Sequence, residues 1–136
     1  MDPATHARVR LRAKRLCEYC RYPESESILP FTLDHIIARK HRGSDGLDNL
    51  AFACGFCNQH KGTDLTGVDP SDGAIVRLFN PRADRWADHF RWEGVRIVAL
   101  TPIGRVTEYV LSLNDDLQLA RRQALLESGW SFEAGV

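Results

Sequence analysis

Four cysteines, arranged as the pairs Cys17/Cys20 and Cys54/Cys57, account for every cysteine in this chain. A two-residue spacer lets both thiolates of a pair reach one ion, and two such pairs complete the tetrahedron that Zn²⁺ prefers. The pattern predicts a closed, structural Zn(Cys)4 knot. Disulfides are disfavoured, because the start Met1-Asp2-Pro3-Ala4 lacks the charged-then-apolar layout of a secretory signal. The chain reads as cytoplasmic, where thiolates persist. A thioredoxin-like redox CxxC would explain one pair and leave the other unexplained, and partly buried free thiols are the remaining alternative.

A knot of this kind suits 136 residues, the size of one small domain. A hydrophobic share of 43% with 26% charged residues is ordinary globular composition. No apolar run approaches the roughly 20 residues that cross a bilayer, so no membrane partner is expected. The formal net charge is +0, so any surface for a nucleic acid must come from local clustering. Residues 1–62 carry 10 Lys/Arg against 7 Asp/Glu, whereas residues 63–136 carry 8 against 11. The cations gather at Arg8, Arg10, Arg12, Lys14 and Arg15, and again at Arg39, Lys40 and Arg42.

Val9, Ala13 and Leu16 recur at helical spacing, which predicts a basic first helix running into Cys17. Phe31 to Ile37 alternates like a short strand, and His41 to Gly46 has loop chemistry. Leu47 to Ala53 returns toward the second cysteine pair, and a helix is expected to open at Asn58. The sum is a β, β, α unit clipped by zinc. Gly67 to Gly73 is a turn-rich break, which divides a core at 1–66 from an extension at 67–136 packed on it as one compact unit. Strands are expected at Ala74 to Phe79 and Val95 to Leu100, with a helical turn at Asp84 to Phe90 between them. Thr101-Pro102 reads as an N-cap followed by a helix to Leu113, and Asp115 to Ser128 as a last helix with Leu117, Ala124 and Leu125 inward. The fold class is therefore α+β, with an α/β C-terminal extension.

Between the cysteine pairs lies Asp34-His35, and Asn58 follows the last cysteine. Adjacent strand residues leave opposite faces, so Asp34 and His35 suit different roles. Asp34 is a hard oxygen ligand for Mg²⁺ or a related ion, and Asn58 offers a second oxygen. Imidazole side chains titrate near neutrality, so His35 suits a general base acting on water.

Cys17-x-x-Cys20, Asp34-His35-Ile36-Ile37, Asn49-Leu50 and Cys54-x-x-Cys57-Asn58-x-x-Lys61 together resemble the HNH endonucleases, the ββα-metal nucleases, over roughly residues 8 to 63. The resemblance implies metal-dependent hydrolysis of DNA phosphodiesters, by nicking or cleavage, with His35 as base and Asp34 and Asn58 on the catalytic ion. It implies that Asn49 braces the loop that orients the base, that the cysteines hold the structural zinc, and that Lys61 meets phosphate. Where many members carry histidine after the final cysteine this chain has Asn58, and an Asp/Asn oxygen pair favours Mg²⁺ or Mn²⁺. The extension from about residue 75 resembles that of a group of small bacterial HNH proteins.

Arg12, with Arg8 and Arg15, suits either the phosphate backbone or a solvated helix face, while Arg39 and Lys40 flank the motif and are candidate substrate contacts. Trp86, Phe90, Trp92 and Trp130 read as core before base-stacking residues, His6 as flexible terminus, His41 as a solvated loop residue before a phosphate contact, His60 as an exposed helix residue before a surplus metal ligand, and His89 as surface or structural. A zinc-ribbon module that binds nucleic acid without catalysis is the alternative, as is a protein-interaction module. The ribbon would need the cysteines but not Asp34 or His35.

Overall fold

The computed structural model describes residues 1–133. Asp2 caps the first helix by accepting from Thr5 N at 2.8 Å, and Pro3 occupies its first turn, where no N–H is required. This helix, α1, spans Pro3–Arg12 and stops short of Cys17, contrary to the expectation from periodicity. Lys14 and Arg15 take left-handed backbone at φ 56° and 60°, and Leu16 then pairs with Pro23. Cys17 N must reach Tyr22 O, at 2.9 Å, to close the knuckle. Knuckle geometry overrides the helical pattern, although Val9 and Ala13 still face the core.

Strands β1 (Thr32–His35) and β2 (Leu50–Ala53) pair antiparallel, with Asp34 opposite Ala51 and His35 opposite Leu50. Helix α2 (Gly55–Lys61) starts earlier than expected, because Cys54 is its N-cap and accepts from Cys57 N through sulfur at 3.4 Å. The ββα unit is thus welded to the second cysteine pair.

Two further hairpins follow. β3 (Thr66–Val68) pairs with β4 (Ile75–Arg77), and β5 (Phe90–Glu93) with β6 (Arg96–Ala99). Neither β3 nor β5 was anticipated: Gly67-Val68 is strand rather than turn, and Phe90 to Glu93 buries alternate residues as a strand does. Helix α3 (Trp86–His89) precedes β5, and α4 (Pro102–Val110) opens on Thr101, whose hydroxyl accepts from Gly104 N at 3.0 Å. Helix α5 (Asp116–Glu127) is capped by Asp115, but its inward face is Gln118, Arg122 and Leu125. Leu117, expected inside, is 62% exposed. Arg122 instead lays its stem inward and donates to Val95 O at 2.7 Å and Asn114 Oδ1 at 3.1 Å.

The result is a small α+β domain with one core. Val9, Phe31, Leu50 and Phe52 from the first half are continuous with Phe79, Trp86, Phe90, Trp92, Ile97, Val106 and Leu125 from the second. Trp86, Phe90 and Trp92 are buried as expected, and Trp130 packs half-buried against the core.

An ion pair ties β3 to α4. Asp69, 1% exposed, accepts from Arg105 Nε at 3.0 Å and from its Nη2 at 2.8 Å, which holds the carboxyl well below the usual range. A carboxylate depressed by folding adds stability above its unfolded value, and that contribution fades as pH falls through the folded value. The melting temperature is therefore expected to drop as pH falls below about 4, with a shallower drop in Arg105→Met. Equal acid slopes for the two proteins would contradict this.

Candidate functional site

The four cysteine sulfurs lie within 4.8 Å of one another, all buried. Tetrahedral zinc with bonds of about 2.3 Å separates sulfurs by about 3.8 Å, and Cys20 Sγ stands 3.8 Å from Cys54 Sγ. The thiols are coupled through shared hydrogen bonds, the one with Cys17 foremost, which lower the Cys20 thiol and raise those of Cys54 and Cys57, so ionising all four calls for a cation among them. Backbone N–H groups of Cys20 and Cys57 point at the sulfurs of Cys17 and Cys54. The donor set fits structural zinc.

Beside this knot, Asp34, His35 and Asn58 line one open cleft of about 730 Å³, together with His6, Thr32, Arg39 and Lys40. Successive residues of α2 diverge in direction, so Cys57 enters the cysteine cluster while Asn58 borders the cleft. Asp34 is 3% exposed, and its carboxylate accepts from Tyr19 Oη at 2.6 Å and from Lys61 Nζ at 3.3 Å. Burial pushes the Asp34 carboxyl up, against the pull of Lys61 and Tyr19. Burial, then the charge of Asp34, pushes the Tyr19 phenol well above its ordinary value, so it remains a donor. A carboxylate offers about four lone-pair directions; Tyr19 takes one on Oδ2, and Lys61 Nζ lies 3.3 Å from Oδ1 and 3.2 Å from Oδ2, which leaves one direction for an ion. Hard oxygens of Asp34 and Asn58 on a water-accessible cleft fit Mg²⁺ or Mn²⁺.

His35 is held from the loop that joins β1 to β2. Its Nε2 lies 2.8 Å from Asp45 Oδ1, and Arg39 meets the same oxygen at 2.9 Å. These bonds, His35 first, hold the Asp45 carboxyl below its ordinary value. Asn49, buried at the foot of the loop, accepts from Ile37 N at 2.9 Å and donates to Ile37 O at 2.9 Å and Ser44 O at 2.8 Å. The loop closes so tightly that a Cβ on Gly43 would overlap the Ile37 carbonyl oxygen.

Two expected substrate contacts fall elsewhere. Lys61, expected at phosphate, is 2% exposed, and its ammonium is spent on Asp34, His35 O and Ile36 O, the last two at 3.1 Å. Its four-residue offset from Cys57 puts it on the inward face of α2. Arg12 donates to Leu47 O at 2.9 Å and Leu50 O at 2.8 Å, which ties α1 to β2 rather than reaching outward. Arg39 and Lys40 do border the cleft. His41 is exposed, while His60 stacks on Phe56 with centroids 4.0 Å apart.

Residues 17–64 match a family model whose description is HNH endonuclease. The chain carries an HNH endonuclease domain. No curated protein and no solved structure matches it. The HNH segment spans the knuckle, β1, β2 and α2, while α1 and everything from β3 onward lie outside it. Members of the HNH family are typically phosphodiester hydrolases and use a divalent metal, which implies a nucleic-acid substrate. Among the described residues, no helix is long and apolar enough to cross a membrane.

Three residues inside or beside the HNH site carried little signal in the sequence. Tyr19 looked like a spacer in Cys-x-x-Cys, Asp45 like a turn residue beside two glycines, and His6, which lines the cleft, like terminal chain. The burial of Lys61 follows from that of Asp34, since a carboxylate inside a protein needs a cation or donors. Removing one partner of a buried pair leaves the other uncompensated. Lys61→Met is therefore expected to cost about 3–5 kcal/mol in denaturant unfolding of the zinc-loaded protein, and a second change, Asp34→Asn, to recover part of it. Full stability in Lys61→Met alone would contradict the pairing.

Proposed function

We propose that the protein is a metal-dependent endonuclease that hydrolyses DNA phosphodiester bonds. The observation that supports this most is the meeting of Asp34, His35 and Asn58 along one open cleft beside the cysteine knot, within a segment that matches the HNH family. Asp34 and Asn58 would hold Mg²⁺ or Mn²⁺, which when bound supplies positive charge to the scissile phosphate and the leaving oxygen.

The chain's own residues do the rest. His35 takes the proton from the attacking water. Donation of Nε2–H to Asp45 fixes the tautomer and leaves Nδ1 basic, so the loop both orients the ring and readies it. Asn49 pins the two ends of that loop to each other, which keeps Asp45 opposite His35. Lys40, exposed at the cleft rim, meets substrate phosphate, and Arg39 joins it when its pairing with exposed Asp45 loosens. The core at 1–66 thus carries the chemistry and the extension at 67–136 supports it.

The test is a nicking assay on supercoiled plasmid with zinc-loaded protein and Mg²⁺ or Mn²⁺, run beside Asp34→Ala. Metal-dependent nicking that disappears in Asp34→Ala is expected. Binding of DNA by both proteins with no cutting by either would overturn the proposal and favour a zinc-ribbon binding module.

A further inference from the structure

We propose that Tyr19 is a positioning residue for Asp34: its hydroxyl fixes where the carboxylate sits, and the C-terminal extension fixes Tyr19. The proposal rests on the reading of Asp34 as a ligand of the divalent ion.

Tyr19 lies between two zinc ligands, so its backbone is bound by the knot. It is 1% exposed, and its hydroxyl donates to Asp34 Oδ2 at 2.6 Å, the shortest well-formed contact that carboxylate makes. The other end of the residue is held by the extension, where Trp86 Nε1 donates to Tyr19 O at 2.9 Å. The ring itself meets Phe79 edge-on, with centroids 6.4 Å apart.

Its neighbours are held as firmly. Glu18 accepts from Phe52 N at 2.8 Å and pairs with Arg82, Arg21 lies over the ring of Trp86, and Arg121 stands over Tyr22 at 4.4 Å. The extension therefore grips every residue between and just after the first two cysteines. Lys61 also meets Asp34, but it divides its protons among three acceptors and ends a flexible stem. Lys61 supplies charge, whereas the locked phenol supplies direction. Partners of metal-bound groups commonly alter metal affinity about 10- to 100-fold when removed.

The experiment measures Mn²⁺ binding by the full, zinc-loaded chain without DNA, through the electron-spin signal of free Mn²⁺, and nicking rate against Mn²⁺ concentration. Tyr19→Phe is expected to raise the Mn²⁺ dissociation constant about tenfold with zinc content unchanged, while the rate at saturating Mn²⁺ stays within a few-fold of the parent. Trp86→Phe, which keeps the hydroxyl and frees the Tyr19 carbonyl, should weaken Mn²⁺ in the same direction by a smaller factor. Asp34→Asn runs beside them. If it binds Mn²⁺ as the parent does, the ligand reading itself fails; if it loses Mn²⁺ while Tyr19→Phe keeps parental affinity, the positioning role alone is overturned. Zinc loss from Tyr19→Phe would overturn that role too, since the hydroxyl would then serve the fold. An unchanged constant in Trp86→Phe would overturn the part assigned to the extension.

Discussion

His35→Ala is expected to lower the rate of plasmid nicking by about 10²–10⁴-fold, the usual worth of a positioned general base, with the loss in kcat rather than in DNA binding. The substitution is clean because of where the ring sits. Among the described residues the ring's only polar partner is Asp45, whose side chain is 57% exposed and is also paired with Arg39. No buried group is orphaned, so melting temperature and zinc content should match the parent. Lost activity would then report chemistry and not unfolding. Parental nicking by His35→Ala would remove His35 from the role of base.

Cys57→Ser is expected to abolish the fold of the whole chain. Zinc held by thiolates supplies about 10–16 kcal/mol of folding energy, which equals or exceeds the net stability of about 5–15 kcal/mol that domains possess. Cys57 is fully buried in the cluster, and a serine there leaves the ion one ligand short. The extension should unfold with the knot. Arg122 of α5 is 1% exposed, and burial lowers its pKa while Cys20, Cys57 and Cys54 work against that shift. Among the described residues it has no carboxylate partner, so the thiolates of a Zn(Cys)4 centre offset its charge. Zinc analysis with near-ultraviolet circular dichroism, which reports Trp86 and Trp92, checks this. A zinc-free Cys57→Ser protein that keeps its tryptophan signal would refute it.

What could be read from the sequence was what depends on short spacing. Two CxxC pairs gave the knot, Thr101-Pro102 and Asp115 gave two helix starts, and Asp34-His35 with Asn58 gave three side chains that share a cleft. What could not be read depends on partners distant in the chain. The end of α1 is set by Tyr22 closing the knuckle, not by the pattern of Val9, Ala13 and Leu16. Lys61 looked like a surface cation until Asp34 proved buried beside it. Arg122 sits on the inward face of α5 where Leu117 was expected, since a guanidinium with a carbonyl, an amide oxygen and nearby sulfurs tolerates burial that its residue type alone would forbid. Phe90-Arg91-Trp92-Glu93 alternates as a strand does, but it follows α3 directly, and the helical turn expected from Asp84 to Phe90 took in its first residue.

The grip of the second half on the first knuckle has a consequence for ancestry. Glu18, Tyr19, Arg21 and Tyr22 each have a counterpart after residue 78, so a gene fusion that transplanted the HNH segment alone would leave four empty sockets around its zinc. The two halves of this chain are expected to be inherited as a matched set, with any exchange of one accompanied by changes in the knuckle residues.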